Sequence, residues 1–236
     1  MIKTLLLLLQ AGKLGKVLLT GGTMLLSVIA YSWVFGWWYA VGFVGLIFAH
    51  EMGHYVAAKQ RGLDVGLPTF IPFVGAWIQL KSMPHNVETE AYVGMAGPLG
   101  GTLAALVTYY VARAQDSDLL LAIAYSGFFL NLFNLIPLSP FDGGRITAVI
   151  SPRLWLIGAP ILVALFFYRP SPLLILIALL SAPHLVKAWR GIKDDEQEYY
   201  TASTETRFTY GVLYIGLAAF LAIMCDELHK ELPRGY

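Results

Sequence analysis

Residues 37–58 read Trp37-Trp-Tyr-Ala-Val-Gly-Phe-Val-Gly-Leu-Ile-Phe-Ala-His50-Glu51-Met-Gly-His54-Tyr-Val-Ala-Ala58. Residues 37–49 carry no charged side chain, and with their continuation they reach the roughly 20 apolar residues a membrane span needs. His50, Glu51 and His54 form the pattern H-E-x-x-H, placed at membrane depth. On a helix, residues four apart share a face, so His50 and His54 can hold one metal ion between them. Glu51 lies three residues before His54 and points to nearly the same side. Two imidazoles with a carboxylate beside the bound water are what a zinc hydrolase requires.

The whole chain agrees with a membrane setting. Of its 236 residues 57% are apolar and 13% charged, and the mean hydropathy is +0.64. These values exclude an ordinary soluble domain and imply an all-α polytopic membrane protein. A net charge of +1 gives no argument for a nucleic acid partner, and none is expected. The single cysteine, Cys225, allows no internal disulfide and no cysteine-rich zinc site, which leaves it a packing role. The N-terminal Met1–Leu9 run has a short apolar core with no small-residue cleavage site after it, so residues 3–14 are expected to be retained as an interfacial helix or the foot of the first span.

Candidate spans are 17–35, 37–58, 92–112, 119–136, 154–168, 172–189 and 208–225. Six or seven spans both fit, and seven is the expectation. No linker or repeat divides the chain, so residues 1–236 read as one membrane-embedded domain with a core over about 37–145 and C-terminal spans over 154–225. The acidic stretch from Gly191 to Arg207 reads as a solvated loop. With the N-terminus in the cytoplasm, twelve Lys and Arg residues fall inside and four outside, which fixes the orientation. His50 then sits roughly 13 Å below the cytoplasmic end of its helix. A bacterial or archaeal plasma membrane suits the small size.

Residues 68–81 do not read as a span. Pro68 and Pro72 oppose a helix, and Val74-Gly75-Ala76 can turn a short β-hairpin beside the site. An interfacial loop with aromatic anchors fits the same pattern. Trp33, Trp37, Trp38, Trp155 and Trp189 read as interfacial anchors. His85 and His229 read as loop and tail residues, and His184 as a structural hydrogen-bonding residue or one facing a polar cavity.

Two histidines leave a catalytic zinc one protein ligand short. Asp142 is the best candidate, in Asn134-Leu-Ile-Pro137-Leu-Ser-Pro140-Phe-Asp142-Gly143-Gly144-Arg145. The prolines stop a helix there and the glycines permit a tight turn after the carboxylate. Taken alone, the segment also reads as an interfacial Asp-Gly turn.

Together with His50-Glu51-x-x-His54, this segment closely resembles the site-2 protease family of intramembrane zinc metalloproteases. That family pairs H-E-x-x-H on one span with N-x-x-P-x-x-P-x-D-G on a later one, and Gly94-Met-Ala-Gly-Pro-Leu-Gly-Gly101 resembles its third-span segment. The resemblance covers residues from about 37 to 145. It implies one zinc ion held by His50, His54 and Asp142, with Glu51 as the catalytic acid/base. It also implies a place near the active site for Asn134, either steadying an oxyanion or substrate backbone, or making a hydrogen bond within the bundle. The implied substrate is a single-span membrane protein cut within or near its span. Such a helix must unwind before its carbonyls can be reached, and the hairpin in 68–81 can hold the unwound piece by strand addition. A zinc or proton-coupled transporter, or a relative that binds membrane helices without cutting them, is the alternative. Neither has a special use for Glu51 between the two histidines.

Overall fold

A computed structural model of the chain describes residues 2–79 and 82–232, with side chains from Gly15 onward. Helix α1 (Ile2–Phe35) stops at Gly36, whose φ of 85° suits glycine, and α2 (Trp37–Gln60) begins at once. A two-stranded antiparallel sheet, β1 (Thr69–Ile71) and β2 (Gly75–Trp77), follows. Then come α3 (Val87–Gln115), α4 (Asp118–Asn134), the short α5 (Asp142–Ile150), α6 (Trp155–Tyr168), α7 (Pro172–Arg190) and α8 (Thr204–Glu231). The backbone of residues 3–14 runs on as part of α1; whether this stretch lies at the interface turns on side chains outside the described residues.

Local chemistry sets the boundaries. The Asn86 side chain accepts from Thr89 N at 2.8 Å to start α3, and Ser117 accepts from Leu120 N at 3.3 Å to start α4. Helix α7 opens with Ser171 as cap and Pro172 in its first turn. Asp116, at φ 49°, turns the chain between α3 and α4.

Among the described residues, four helices are long and apolar enough to cross a membrane: α1 from Gly15, α3, α7 and α8. Only 17% of the apolar window is buried in α1, α7 and α8, against 50% in α3. The outer three therefore offer apolar surface to lipid while α3 fills the centre. Seven spans are not confirmed by this measure. Helix α4, at 17 residues, and α6, at 14, are shorter, and α2 is not among the four. Helix α2 spends hydropathy on the residues that make the site and hides them against its neighbours: His50, Glu51 and His54 are all buried.

The expected hairpin is present, with its turn earlier than Val74-Gly75-Ala76. Pro72, Phe73 and Val74 make the turn, closed by Val74 N donating to Ile71 O at 3.1 Å. Pro72 presets the first corner and Phe73 takes the left-handed second corner at φ 61°. Helix α1 holds the hairpin from one side. Thr20 Oγ1 donates to Pro68 O at 2.7 Å, and Phe70 N donates to Thr23 Oγ1 at 3.2 Å. Phe70 is buried beside Phe48, at 6.4 Å between ring centroids.

The tryptophans divide. Trp33, Trp38 and Trp189 are largely exposed and Trp37 is partly so, as interfacial anchors are. Trp155 is instead buried, and its Nε1 donates to Gly144 O at 2.8 Å. It belongs to the core with Leu138, Phe141 and Leu162, because its indole N–H finds a carbonyl inside the bundle. His184 packs edge-on to Trp155, with 5.2 Å between centroids.

Candidate metal centre

His50 and His54 project from successive turns of α2, 3% and 7% exposed, toward Asp142 at the start of α5. The three donor atoms form a nearly equilateral triangle. His50 Nε2 to His54 Nε2 is 3.2 Å, His50 Nε2 to Asp142 Oδ2 is 3.1 Å, and His54 Nε2 to Asp142 Oδ2 is 3.2 Å. A tetrahedral zinc with bonds of 2.0–2.1 Å has donor–donor edges of about 3.3 Å. The triangle therefore has the size of one face of a zinc tetrahedron.

The hydrogen bonds behind the ligands define what they present. His54 Nδ1 lies 2.7 Å from Val93 O, which can only accept, so in the neutral ring Nδ1 carries the proton. His50 Nδ1 lies 2.8 Å from Asn131 Oδ1. The Asn131 amide is oriented by its Nδ2 donating to Gly127 O at 2.7 Å, which leaves Oδ1 as the acceptor. Both Nε2 atoms then present bare lone pairs to each other and to a carboxylate oxygen. Three electron-pair donors converging in a buried site call for a cation, and this donor set suits zinc.

Small residues make the convergence possible. A Cβ on Gly97 would overlap the His54 imidazole, and one on Gly101 would overlap the Asn131 amide. These glycines lie one turn apart on α3 and give it a bare face on which the two side chains rest. Gly53 of α2 likewise meets the Ala96 carbonyl of α3, so the two helices pack backbone to backbone.

Asp142 is the first residue of α5, where a carboxylate is favoured by the helix dipole. The two glycines after it do not make a turn, as the sequence suggested. They are helical, and each lacks a Cβ because the first turn of α5 lies against the backbone of residues 135–139. That non-helical segment is anchored from outside. Tyr214 OH of α8 donates to Leu135 O at 2.5 Å, and Ser181 Oγ of α7 donates to Ser139 O at 2.6 Å. Irregular backbone inside an apolar bundle needs such partners.

Glu51 is buried beside this triangle, 8% exposed. Asn134 is the last residue of α4, and its Nδ2 donates back to Leu130 O at 3.0 Å. The asparagine on the histidine is Asn131, one turn earlier and 1% exposed. Replacing Asn131 by leucine is expected to weaken zinc binding by about 10–100-fold, the usual cost of losing a partner behind a metal ligand. Asn134→Ala is expected to leave affinity unchanged; competition with a chromophoric chelator measures both.

Residues 38–116 match the sequence profile of Peptidase family M50. The chain is 33% identical over 106 residues to "Zinc metalloprotease MJ0392" of Methanocaldococcus jannaschii, covering 43% of this chain and 30% of that protein. It is 31% identical over 84 residues to "Probable zinc metalloprotease EGY1, chloroplastic" of Arabidopsis thaliana, covering 34% of this chain and 15% of that protein. The chain thus spans less than a third of the length of either relative. The matched stretch contains almost all of α2, with His50, Glu51 and His54, and the whole of α3 with its glycine face. Over residues 38–116 the chain is therefore similar to peptidase family M50, the site-2 protease family.

Proposed function

We propose that the protein is an intramembrane zinc endopeptidase that hydrolyses a peptide bond within or near the membrane span of a tethered substrate. The observation that carries this reading is the buried triangle of His50 Nε2, His54 Nε2 and Asp142 Oδ2 with the Glu51 carboxylate beside it. Zinc, when bound, supplies a Lewis acid that lowers the pKa of water to about 7 and polarises a carbonyl. The chain's own residues do the rest. Val93 O and Asn131 Oδ1 keep the imidazoles aimed. Glu51 takes the proton of the attacking water and hands it to the leaving amine. The second and later spans complete the same membrane-embedded domain, with α2, α4 and α6 crossing beside the four long helices. The N-terminus lies in the cytoplasm, and the site opens toward that side of a prokaryotic plasma membrane.

The hairpin holds the unwound substrate, and the fold suggests which edge does so. The outward N–H of Phe70 on β1 is already spent on Thr23 of α1. Phe70 is opposite Ala76 in the register, so Ala76 presents its N–H and C=O on the far edge of β2. Exposed Phe73, Val74 and Trp77 flank that edge. Ala76→Pro removes the outward N–H and is expected to depress cleavage while zinc content stays at the wild-type level; unchanged turnover would remove strand addition at this edge.

The activity itself is tested with purified protein in vesicles containing a single-span substrate. The expected result is cleavage in or next to the span, lost with a chelator and restored by zinc. Zinc flux across the vesicle without any cleavage would replace the protease reading with a transporter.

A further inference from the structure

Asp142 offers its two carboxylate oxygens to two different neighbours. Oδ2 faces both histidines, whereas Oδ1 faces Arg145, whose Nη1 lies 3.9 Å away. Arg145 is one turn along α5 from Asp142, and its stem is pressed against α3, where a Cβ on Gly94 would come within 3.0 Å of the Arg145 Cβ. Its side chain, 38% exposed, lines a small cleft of about 130 Å³ with Met83, Pro84, Glu90 and Val93. Val93 is the residue whose carbonyl holds His54. The two sides of this cleft therefore lead to two of the three ligands.

Glu90, on the opposite side of the cleft, is engaged elsewhere. It accepts from Tyr199 OH at 2.6 Å, and Val87 N donates to Tyr199 O at 2.9 Å, so the loop after α7 is latched to the start of α3. Burial and the Glu90 carboxylate hold the Tyr199 phenol well above its usual pKa, so it remains a donor. This bond leaves the Arg145 guanidinium as the cationic group next to the outer oxygen of Asp142.

We propose that Arg145 is a positioning residue that keeps Asp142 a one-oxygen ligand. A carboxylate can bind a metal through one oxygen or both, and the second mode would fill the position a hydrolytic zinc must leave for water. A guanidinium facing Oδ1 draws that oxygen outward and leaves Oδ2 alone to complete the triangle.

The inference rests on the zinc reading of the site, and its test separates the two. Zinc affinity and the visible spectrum of the cobalt-substituted protein are measured for wild type, Arg145→Gln, Arg145→Lys and Met83→Ala. The zinc reading fails if wild type takes up neither metal. If it does take them up, Arg145→Gln is expected to lose about 10–100-fold in zinc affinity. Its cobalt bands should weaken, as they do when a four-coordinate ion gains a fifth donor. Arg145→Lys should recover part of both, and Met83→Ala, in the same cleft, should match wild type. Wild-type affinity and spectrum in Arg145→Gln would overturn the proposal, as would a loss that Lys does not recover and Met83→Ala shares.

Discussion

Replacing Glu51 by glutamine is expected to lower the cleavage rate on the order of 10²–10⁴-fold, the range that a positioned acid/base supplies. Zinc content is expected to stay the same. Glutamine has the shape of glutamate, so the packing of α2 around a residue that is 8% exposed is kept. What it loses is the ability to take a proton from water and return it to the amine. The triangle of donors does not include Glu51, which is why metal binding and rate should separate in this variant. Turnover by the purified variant, with zinc per chain measured on the same sample, checks both halves. A variant that lost zinc along with activity would make Glu51 a ligand and contradict its assignment as the acid/base.

Asp142→Ala is expected to give the opposite pattern, losing metal first. Structural zinc sites bind with about 10–16 kcal/mol shared over four ligands, so one ligand is worth roughly 3 kcal/mol, or about a hundredfold in affinity. The true cost is raised here by position. Asp142 is the anionic ligand, it lies at the N-terminus of α5, and it is buried with both imidazoles. Without it, two lone pairs face each other at 3.2 Å with no negative charge to draw a cation in. Asp142→Asn keeps the shape and should still lose most of the affinity, which distinguishes charge from packing. Zinc titration against a competing chelator reads both variants. Retention of wild-type affinity by Asp142→Ala would place the third ligand elsewhere.

Much of this site is legible in the residues themselves. The four-residue spacing of His50 and His54 fixes their shared face on any helix, and the prolines before Asp142 fix a break in the chain. The burial of these polar residues in an apolar run points to chemistry, because the bilayer gives them no other partner. The partners behind the ligands are not legible in the same way. Asn131 and Asn134 lie on one helix a turn apart, and which of them meets His50 depends on how α4 is rotated against α2. That rotation is set by Gly101, whose missing side chain admits the Asn131 amide. The Asp-Gly-Gly run carries a similar ambiguity. Glycine pairs signal turns, yet here they signal close approach of a helix to the backbone of residues 135–139. Trp155 reads as an interfacial anchor until the carbonyl of Gly144 is found beside its indole. Tyr214 and Ser181, on distant helices, gave no local sign that they would satisfy the broken backbone. In each case the missing information is a contact between elements far apart in the chain.

The most direct test of the central claim is X-ray absorption spectroscopy on the zinc-loaded protein, beside its Asp142→Ala variant. The arrangement predicts two imidazole nitrogens, one carboxylate oxygen and one solvent oxygen at about 2.0–2.2 Å. It also predicts loss of the carboxylate from the variant's shell. A shell closed by four protein ligands, or one unchanged when Asp142 is removed, would contradict it.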